Sequence, residues 1–358
     1  MPGRVRPGDT GFPRGRGAAM TGPTMTAAVL HDPGGRHPLR IERVPVPEPA
    51  PGEVLVAVEA FGLNNAEILQ CRGVMPSPPG SVPGLECVGT VVGQGAGWRS
   101  GDRVAALARA GTYAEYVAVP SGACIGIPEE LESTAAAALP EAAATAWWNL
   151  VHRGRLHPGE RVLIHGAAGG VGSMAVQIAR ALGATVIGTA RGAEKSALCE
   201  ALGCDEVIDY AEADVFGEIR RLAPAGVDII LDNRGAPTVA ANIGVLAPLG
   251  RLVIIGVAAG TDATVDLGAL MAGGVEISSS SLGRLCDEMR AALCREVAAE
   301  VLPKVLAHSV RPVLDATFAF DDLAAAHRRF SEPDRVGKVV VTTGISKTDA
   351  EQRNQLFA

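Results

Sequence analysis

A strand-like run, 161–165, feeds into Gly166-Ala167-Ala168-Gly169-Gly170-Val171-Gly172, and helical spacing begins at Val171. That order suits a dinucleotide turn. Glycines let backbone and helix approach closely, so that free N–H groups at the helix start face a pyrophosphate. In the G-x-G-x-x-G register Ala167 replaces the first glycine, and Gly169 and Gly172 keep the other two. Ala167, Gly169, Gly170, Val171 and Gly172 are therefore expected to contact a cofactor. The motif alone is weak; a strand before it and a helix after it make it specific.

The end of the second strand separates the two nicotinamide dinucleotides. An NAD site places an acid there for the adenosine ribose hydroxyls, and Gly188-Thr189-Ala190-Arg191 has none. Arg191 and Lys195, following Thr189, supply positive charge where a 2′-phosphate would lie, so NADPH is expected over NADH. The plainer alternative is that both cations are merely solvated. Tyr210, after the third strand, is expected to close the adenosine pocket. Open α/β sheets bind ligands beyond the carboxyl ends of their strands. That rule nominates Asn233, Gly256, Val257 and the 279–282 segment, Ser280 included, beside the nicotinamide.

Such residues need a parallel sheet buried on both faces to hold them, and its strands should read as continuous apolar runs. Six occur, at 161–165, 185–189, 206–208, 228–231, 251–256 and 276–280, with helical spacing between them at 171–182, 194–202, 214–222 and 236–246. This alternation predicts a doubly wound α/β sheet. Upstream, short strands at 26–30, 53–60, 88–94, 103–106 and 114–119 are punctuated by Pro and Gly, as in a barrel-like β domain. Tyr113 and Tyr116 fall in the last of these as packing residues. Strands at 310–318 and 338–343, around a helix at 324–330, return to β character and are expected to rejoin the first domain.

At 358 residues the chain favours two domains. A net charge of −7 offers no general attraction to nucleic acid or anionic lipid. Seven cysteines without a C-x-x-C pair argue against a disulfide framework and suit a reducing cytoplasm. The most apolar stretch, 162–190, is broken by Gln177, Arg180 and glycines, so no membrane span is expected. Residues 1–24 read as a disordered leader, or as sequence upstream of a start at Met25, and 346–358 as a flexible tail.

Several ordered segments resemble one family: Gly62-Leu63-Asn64-Asn65-Ala66-Glu67, Val82-Pro83-Gly84-Leu85-Glu86-Cys87-Val88-Gly89, Gly101-Asp102-Arg103-Val104, Gly111-Thr112-Tyr113-Ala114-Glu115-Tyr116, Thr145-Ala146-Trp147, the glycine turn, and Val336-Gly337-Lys338-Val339-Val340. Together they resemble the medium-chain dehydrogenase/reductase superfamily, in its zinc-independent quinone oxidoreductase branch, and within it the p53-inducible quinone oxidoreductase subgroup. The resemblance implies a GroES-like β-rich catalytic domain at 25–145 completed by 305–345, a Rossmann domain at 146–304, and an active site between them. It also implies a homodimer joined through the edge strand 276–282.

Zinc members of the superfamily hold their catalytic metal with Cys, His and Cys. The resemblance aligns those positions with Asn64, Leu85 and approximately Glu141, leaving only Glu86, which normally stands beside the histidine, so no metal is expected. Asn64 is the first choice for a polar group beside nicotinamide and acceptor, with organisation of its own loop as the alternative. Glu67 either anchors that loop or contacts cofactor. Leu69 stands where some relatives place a tyrosine. Thr145 and Lys338 match cofactor-contact regions of the family, and His165 ends the first nucleotide strand in a supporting position. The expected chemistry is metal-free hydride transfer from NADPH to a small-molecule acceptor, a quinone or activated enone. Enal, enone or enoyl-thioester reduction, and a non-catalytic NADPH-dependent RNA-binding or structural protein, are the alternatives.

Overall fold

The structure is a computed structural model describing residues 22–346 and 348–349. The expected leader and tail therefore lie outside the described residues except at their inner edges. The first half runs β1 (Thr24–Leu30), β2 (Leu39–Pro45), β3 (Glu53–Gly62), α1 (Asn65–Cys71), β4 (Glu86–Val92), β5 (Arg103–Leu107), β6 (Tyr116–Pro120), β7 (Cys124–Gly126), α2 (Ser133–Ala137) and α3 (Pro140–Trp147). The second half follows as β8 (Arg161–Ile164), α4 (Gly170–Ala181), β9 (Thr185–Ala190), α5 (Ala193–Ala201), β10 (Glu206–Asp209), α6 (Val215–Leu222), β11 (Val227–Asp232), α7 (Ala236–Ile243), β12 (Leu246–Ile254), α8 (Leu267–Gly273), β13 (Glu276–Ser279), α9 (Asp287–Glu296) and α10 (Leu302–Leu306). The chain closes with β14 (Leu314–Ala319), α11 (Leu323–Phe330) and β15 (Lys338–Thr342).

Strands β8 to β13 form one parallel sheet in the order β10-β9-β8-β11-β12-β13. Its strand order reverses beside β8, so the turn after β8 opens at the switch point where such sheets bind ligands. Val162, Leu163, Ile164, Ile229, Ile230 and Leu231 are all buried, as strands covered by helices on both faces require. Helix α4 presses Met174, Ala175, Ile178 and Ala179 onto one face.

The other large sheet runs β14-β15-β3-β4-β5-β7, with β6 also paired to β3. Strand β15 lies antiparallel to β3, matching Val341 with Phe61. The last strands thus cross from one half of the molecule to complete the sheet of the other, in the GroES-like plus Rossmann α/β arrangement. The long helix begun by α3 continues as wider turns through Arg153, and Trp147 donates from its indole to Glu296 across the junction at 2.7 Å.

Strand β2 went unread in the sequence because Arg40, Glu42 and Arg43 interrupt its apolar signal. Strand β12 begins five residues earlier than the expected 251, running through Leu249 and Gly250, and α7 correspondingly stops at Ile243 rather than 246. Tyr113 precedes β6 rather than lying in it; it is fully buried and stacks on Phe61 at 4.6 Å.

Candidate active site

The turn after β8 is shaped by contacts that only glycine tolerates. Gly166 has φ +66°, and a Cβ there would fall 2.5 Å from the Asn233 side chain. A Cβ on Gly172 would lie 2.2 Å from the Gly166 carbonyl oxygen, so the glycine lets α4 close onto the turn. Gly169 caps α4 in an extended conformation without a side-chain hydrogen bond, which leaves the first N–H groups of a twelve-residue helix free to face an anion.

A buried polar chain supports the turn from beneath. The Thr189 hydroxyl accepts from Gly166 N at 3.2 Å and meets His165 Nδ1 at 3.2 Å, while His165 Nε2 meets Asn242 Oδ1 at 2.8 Å. Asn242 donates through Nδ2 to Asp232 at 3.0 Å, and Asp232 also accepts from Thr238 and from the amides of Arg234 and Gly235. The Asp232 contact makes Asn242 Oδ1 an acceptor, so His165 carries its proton on Nε2 and the Thr189 hydroxyl donates to Nδ1. Burial keeps the imidazole below its ordinary pKa, hence neutral. The Thr189 side chain thus holds the turn from beneath.

At the adenosine end the cations behave differently from one another. Arg191 is exposed at the end of β9. Lys195 is tied to the far end of the chain: its ammonium donates to the carbonyls of Pro333 and Arg335 at 2.8 and 2.7 Å, which leaves one hydrogen, and burial and the Arg335 charge hold its pKa down. An acid does approach, from the neighbouring strand. Asp209 accepts from Gly192 N at 3.0 Å and Ala211 N at 2.9 Å, and those amides with Arg191 hold its carboxyl below the ordinary range. With an oxygen spent on each amide, Asp209 shapes the turn before α5 rather than offering itself to a ribose. Tyr210 is exposed beneath the Arg234 guanidinium, 5.5 Å from its ring centre.

At the carboxyl ends of the later strands, Gly256 N donates to Asp232 O, and a Cβ on Gly256 would sit 3.1 Å from Asn233 O. Val257 is exposed, and Ser280 N donates to Ile254 O. Asn233, Gly256, Val257 and Ser280 thus stand on the same side of the sheet as the glycine turn.

The largest group of functional side chains lies where β15 meets this turn. Gly337 N donates to Ala168 O at 2.7 Å, and the next residue, Lys338, passes Gly170 so closely that a Cβ there would fall 2.7 Å from its Cδ. The buried Lys338 ammonium donates to Leu63 O at 2.8 Å, Asn64 Oδ1 at 2.5 Å and Glu86 Oε1 at 2.5 Å. Asn64 Nδ2 donates to the same Glu86 oxygen at 3.0 Å, and Glu141 N donates to the other at 2.8 Å. One helical turn on, the Thr145 hydroxyl donates to Glu141 Oε1 at 3.1 Å.

Glu67 completes the group. At the third position of α1 it reaches back to Asn64 N at 3.1 Å and also accepts from Leu85 N at 3.1 Å. It is wholly buried, so of its two expected roles it takes the first and anchors the Asn64 loop. Burial raises the Glu67 carboxyl to about 8 and, together with the Glu86 charge, raises Glu141 to about 7. Glu67, Glu86 and Lys338 form a closed floor, while Asn64, Glu141 and Thr145 are half-exposed at its mouth. A concavity between Pro23, Glu48 and Gln94 contains none of these groups. Chemistry, not volume, locates the site.

Residues 50–129 match the family model described as alcohol dehydrogenase GroES-like domain, and residues 170–299 that of zinc-binding dehydrogenase. The rat synaptic vesicle membrane protein VAT-1 homolog is 34% identical over 349 residues, covering 91% of this chain and 86% of that protein. A phenolphthiocerol/phthiocerol polyketide synthase polypeptide from Mycobacterium tuberculosis is 33% identical over 87% of this chain, which spans 14% of that synthase polypeptide. Among solved structures, the quinone oxidoreductase of Thermus thermophilus, solved also as its complex with NADPH, superposes with a TM-score of 0.78 at 39% identity, over 89% of this chain and 100% of that one.

The second family description names zinc, and the residues here do not fit it. Leu85 has no donor atom, the Asn64 amide is committed to Glu86 and Lys338, and an ammonium already occupies the inner face of Glu86. Among the described residues no group of three or more His, Cys, Asp or Glu is placed to hold a metal, and no helix is long and apolar enough to cross a membrane. A dinucleotide fits better, since the uncapped start of α4 and the close glycines make the cradle its pyrophosphate needs.

Proposed function

The chain belongs to the medium-chain dehydrogenase/reductase superfamily, in its quinone oxidoreductase-like branch, and from that premise we propose that it is a zinc-independent, NADPH-dependent reductase of quinones or activated enones. The observation that carries this reading is the junction at Gly337 and Lys338, which joins the phosphate turn to the Asn64 group. The nicotinamide supplies a hydride when bound. The chain's own residues do the rest by placement, and positioning of reactants alone removes about 7–11 kcal/mol of barrier in favourable cases. Lys338 fixes the Asn64 carbonyl oxygen, Glu86 takes one amide hydrogen, and the second remains for an oxyanion forming on the acceptor.

Val171, Ala167, Gly169, Gly170 and Gly172 hold the pyrophosphate in this proposal, and Arg191 is the cation for the 2′-phosphate. Thr145, Asn233, Gly256, Val257 and Ser280 flank the nicotinamide half. Two copies pair through β13, an edge strand that carries exposed Ile277, with exposed Leu249 on β12 and exposed Leu267 and Met271 on α8. The reducing cytoplasm is the compartment that suits the chain's seven cysteines.

Enoyl-thioester reduction is the second reading, favoured by the similarity to a segment of a polyketide synthase. The test is NADPH consumption against ortho- and para-quinones, enals, enones and enoyl thioesters, with NADH in parallel. Turnover with an electron-poor acceptor and preference for NADPH are expected. Tight NADPH binding without turnover on any acceptor would overturn the enzymatic reading and favour a binding protein.

A further inference from the structure

Reduction by hydride leaves negative charge on the acceptor oxygen, and a proton must follow. Most side chains that could deliver it are unable to. Of the three tyrosines, Tyr113 and Tyr116 are buried in the β domain and Tyr210 lies beside Arg234 at the adenosine end. His165 is enclosed between Thr189 and Asn242. The Lys338 ammonium is spent on three oxygens, and both oxygens of Glu67 face backbone amides on the closed floor. Glu141 differs in that the residue is not fully buried and its carboxyl is touched by the hydroxyl of Thr145, a partly buried residue one helical turn on.

We propose that Glu141 is the proton reservoir of the reaction and that Thr145 passes its proton to the reduced acceptor. This rests on the reductase reading above. The hydride carries two electrons and one hydrogen to the acceptor. Thr145 then yields its hydroxyl proton to the new oxyanion and takes the Glu141 proton in exchange, leaving a carboxylate that water at the mouth reprotonates. No reagent beyond NADPH, acceptor and water is needed.

The surroundings of Glu141 keep that proton available near neutrality. Glu86 on β4 opposes ionisation, whereas Lys338 on β15, Arg290 on α9 and the Thr145 hydrogen bond favour it, and Glu67 on α1, raised to about 8, is itself protonated where Glu141 titrates. Cys294, also on α9, feels the same carboxyl. Burial and Glu86 outweigh the cations, so the group titrates at about 7 instead of in the ordinary carboxylate range.

Glu141→Gln keeps the shape and removes the exchangeable proton. With an enone acceptor, turnover should fall about a hundredfold, the usual scale of general acid catalysis; the parent should lose rate above about pH 7, and that loss should be missing from the variant. Thr145→Val should lose a similar factor, and the double variant no more than either alone. Independently of turnover, infrared difference spectra of the ligand-free protein should show a protonated-carboxyl band that bleaches near neutral pH and is missing from Glu141→Gln. An unchanged pH profile in Glu141→Gln, additive losses, or no such band would each overturn the relay. If the parent turns over none of the acceptors, the function falls and the relay with it; if it turns one over while Glu141→Gln keeps the parent profile, the relay falls alone.

Discussion

Two buried ion pairs occupy the same β sheet and are built to different rules. Glu59 on β3 takes Arg103 at 3.3 Å, Thr90 at 3.0 Å and Ser133 at 2.7 Å, and the guanidinium finishes on the carbonyls of Pro128 and Leu131 and on Ser133. One positive charge meets one negative charge, and polar partners surround both. At Glu86 and Lys338 one ammonium stands among Glu86, Glu67 and Glu141, and only Asn64, Glu141 and Thr145 at its edge are less than fully buried. Burial of more carboxyls than cations raises Glu67 and Glu141 toward neutrality, through desolvation first and neighbouring carboxylates after it. A buried carboxyl without a cation of its own, not a buried pair as such, sets this group apart from a structural strut.

Replacing the cation should break the comparison most severely. Lys338→Met leaves Glu86 buried without its partner and Asn64 without its orientation, and turnover should fall by roughly 10²–10³-fold, the range seen when an oxyanion-stabilising group is lost. Arg103→Met is the control: it should cost about 3–5 kcal/mol of stability, as breaking buried pairs does, while turnover per folded molecule stays at the parent value. If denaturant melts show the stability loss but Arg103→Met also loses turnover, the two pairs are not distinct in kind.

Arg191→Ser should weaken NADPH binding roughly tenfold, the scale of one charge-assisted hydrogen bond, and leave NADH binding unchanged. Titration of both dinucleotides checks this. Lys195→Ala, by contrast, should loosen the 333–335 loop more than it alters cofactor choice, since its ammonium is already held by carbonyls there.

The smallest expected effect is on stability against pH. A carboxyl raised to about 8 keeps its proton in the folded state after the unfolded chain, at about 4.5, has released its own. The native state then binds more protons, so stability declines as pH rises between those values and levels off above the upper one. Thermal melts of the parent should fall by a few degrees from pH 6 to pH 8.5, and Glu67→Gln should flatten that slope while lowering the whole curve, because its new amide group would oppose a backbone N–H.

Much of the architecture was legible because it rests on local rules. Parallel strands buried on two faces read as unbroken apolar runs, and the glycine turn reads from its spacing between a strand and a helix. Strand β2 escaped because charged residues line it, and the start of β12 because Gly250 resembles a terminator. Asn64, Glu67, Thr145 and Lys338 each stand out in the sequence, but nothing local says that they share one carboxylate cluster. Lys338 reaches Leu63 across 275 positions of sequence, a distance over which only the closed fold decides partners. The Lys195 partners escaped for the same reason, since its carbonyl acceptors come from 138 and 140 positions away.

Gly337 adds a mechanical consequence. Its φ of +46° and a backbone so close to Val313 that a Cβ would fall 2.1 Å from the carbonyl oxygen leave little freedom at the point where β15 touches the phosphate turn. Along α9 the halves meet through exposed Arg109 and Asp287 and through buried Arg290, which donates to the carbonyls of Leu107 and Ala108. Gly337 therefore acts as a fixed stop: Lys338 keeps its spacing from Gly170, and the phosphate turn and the Asn64 group hold one alignment.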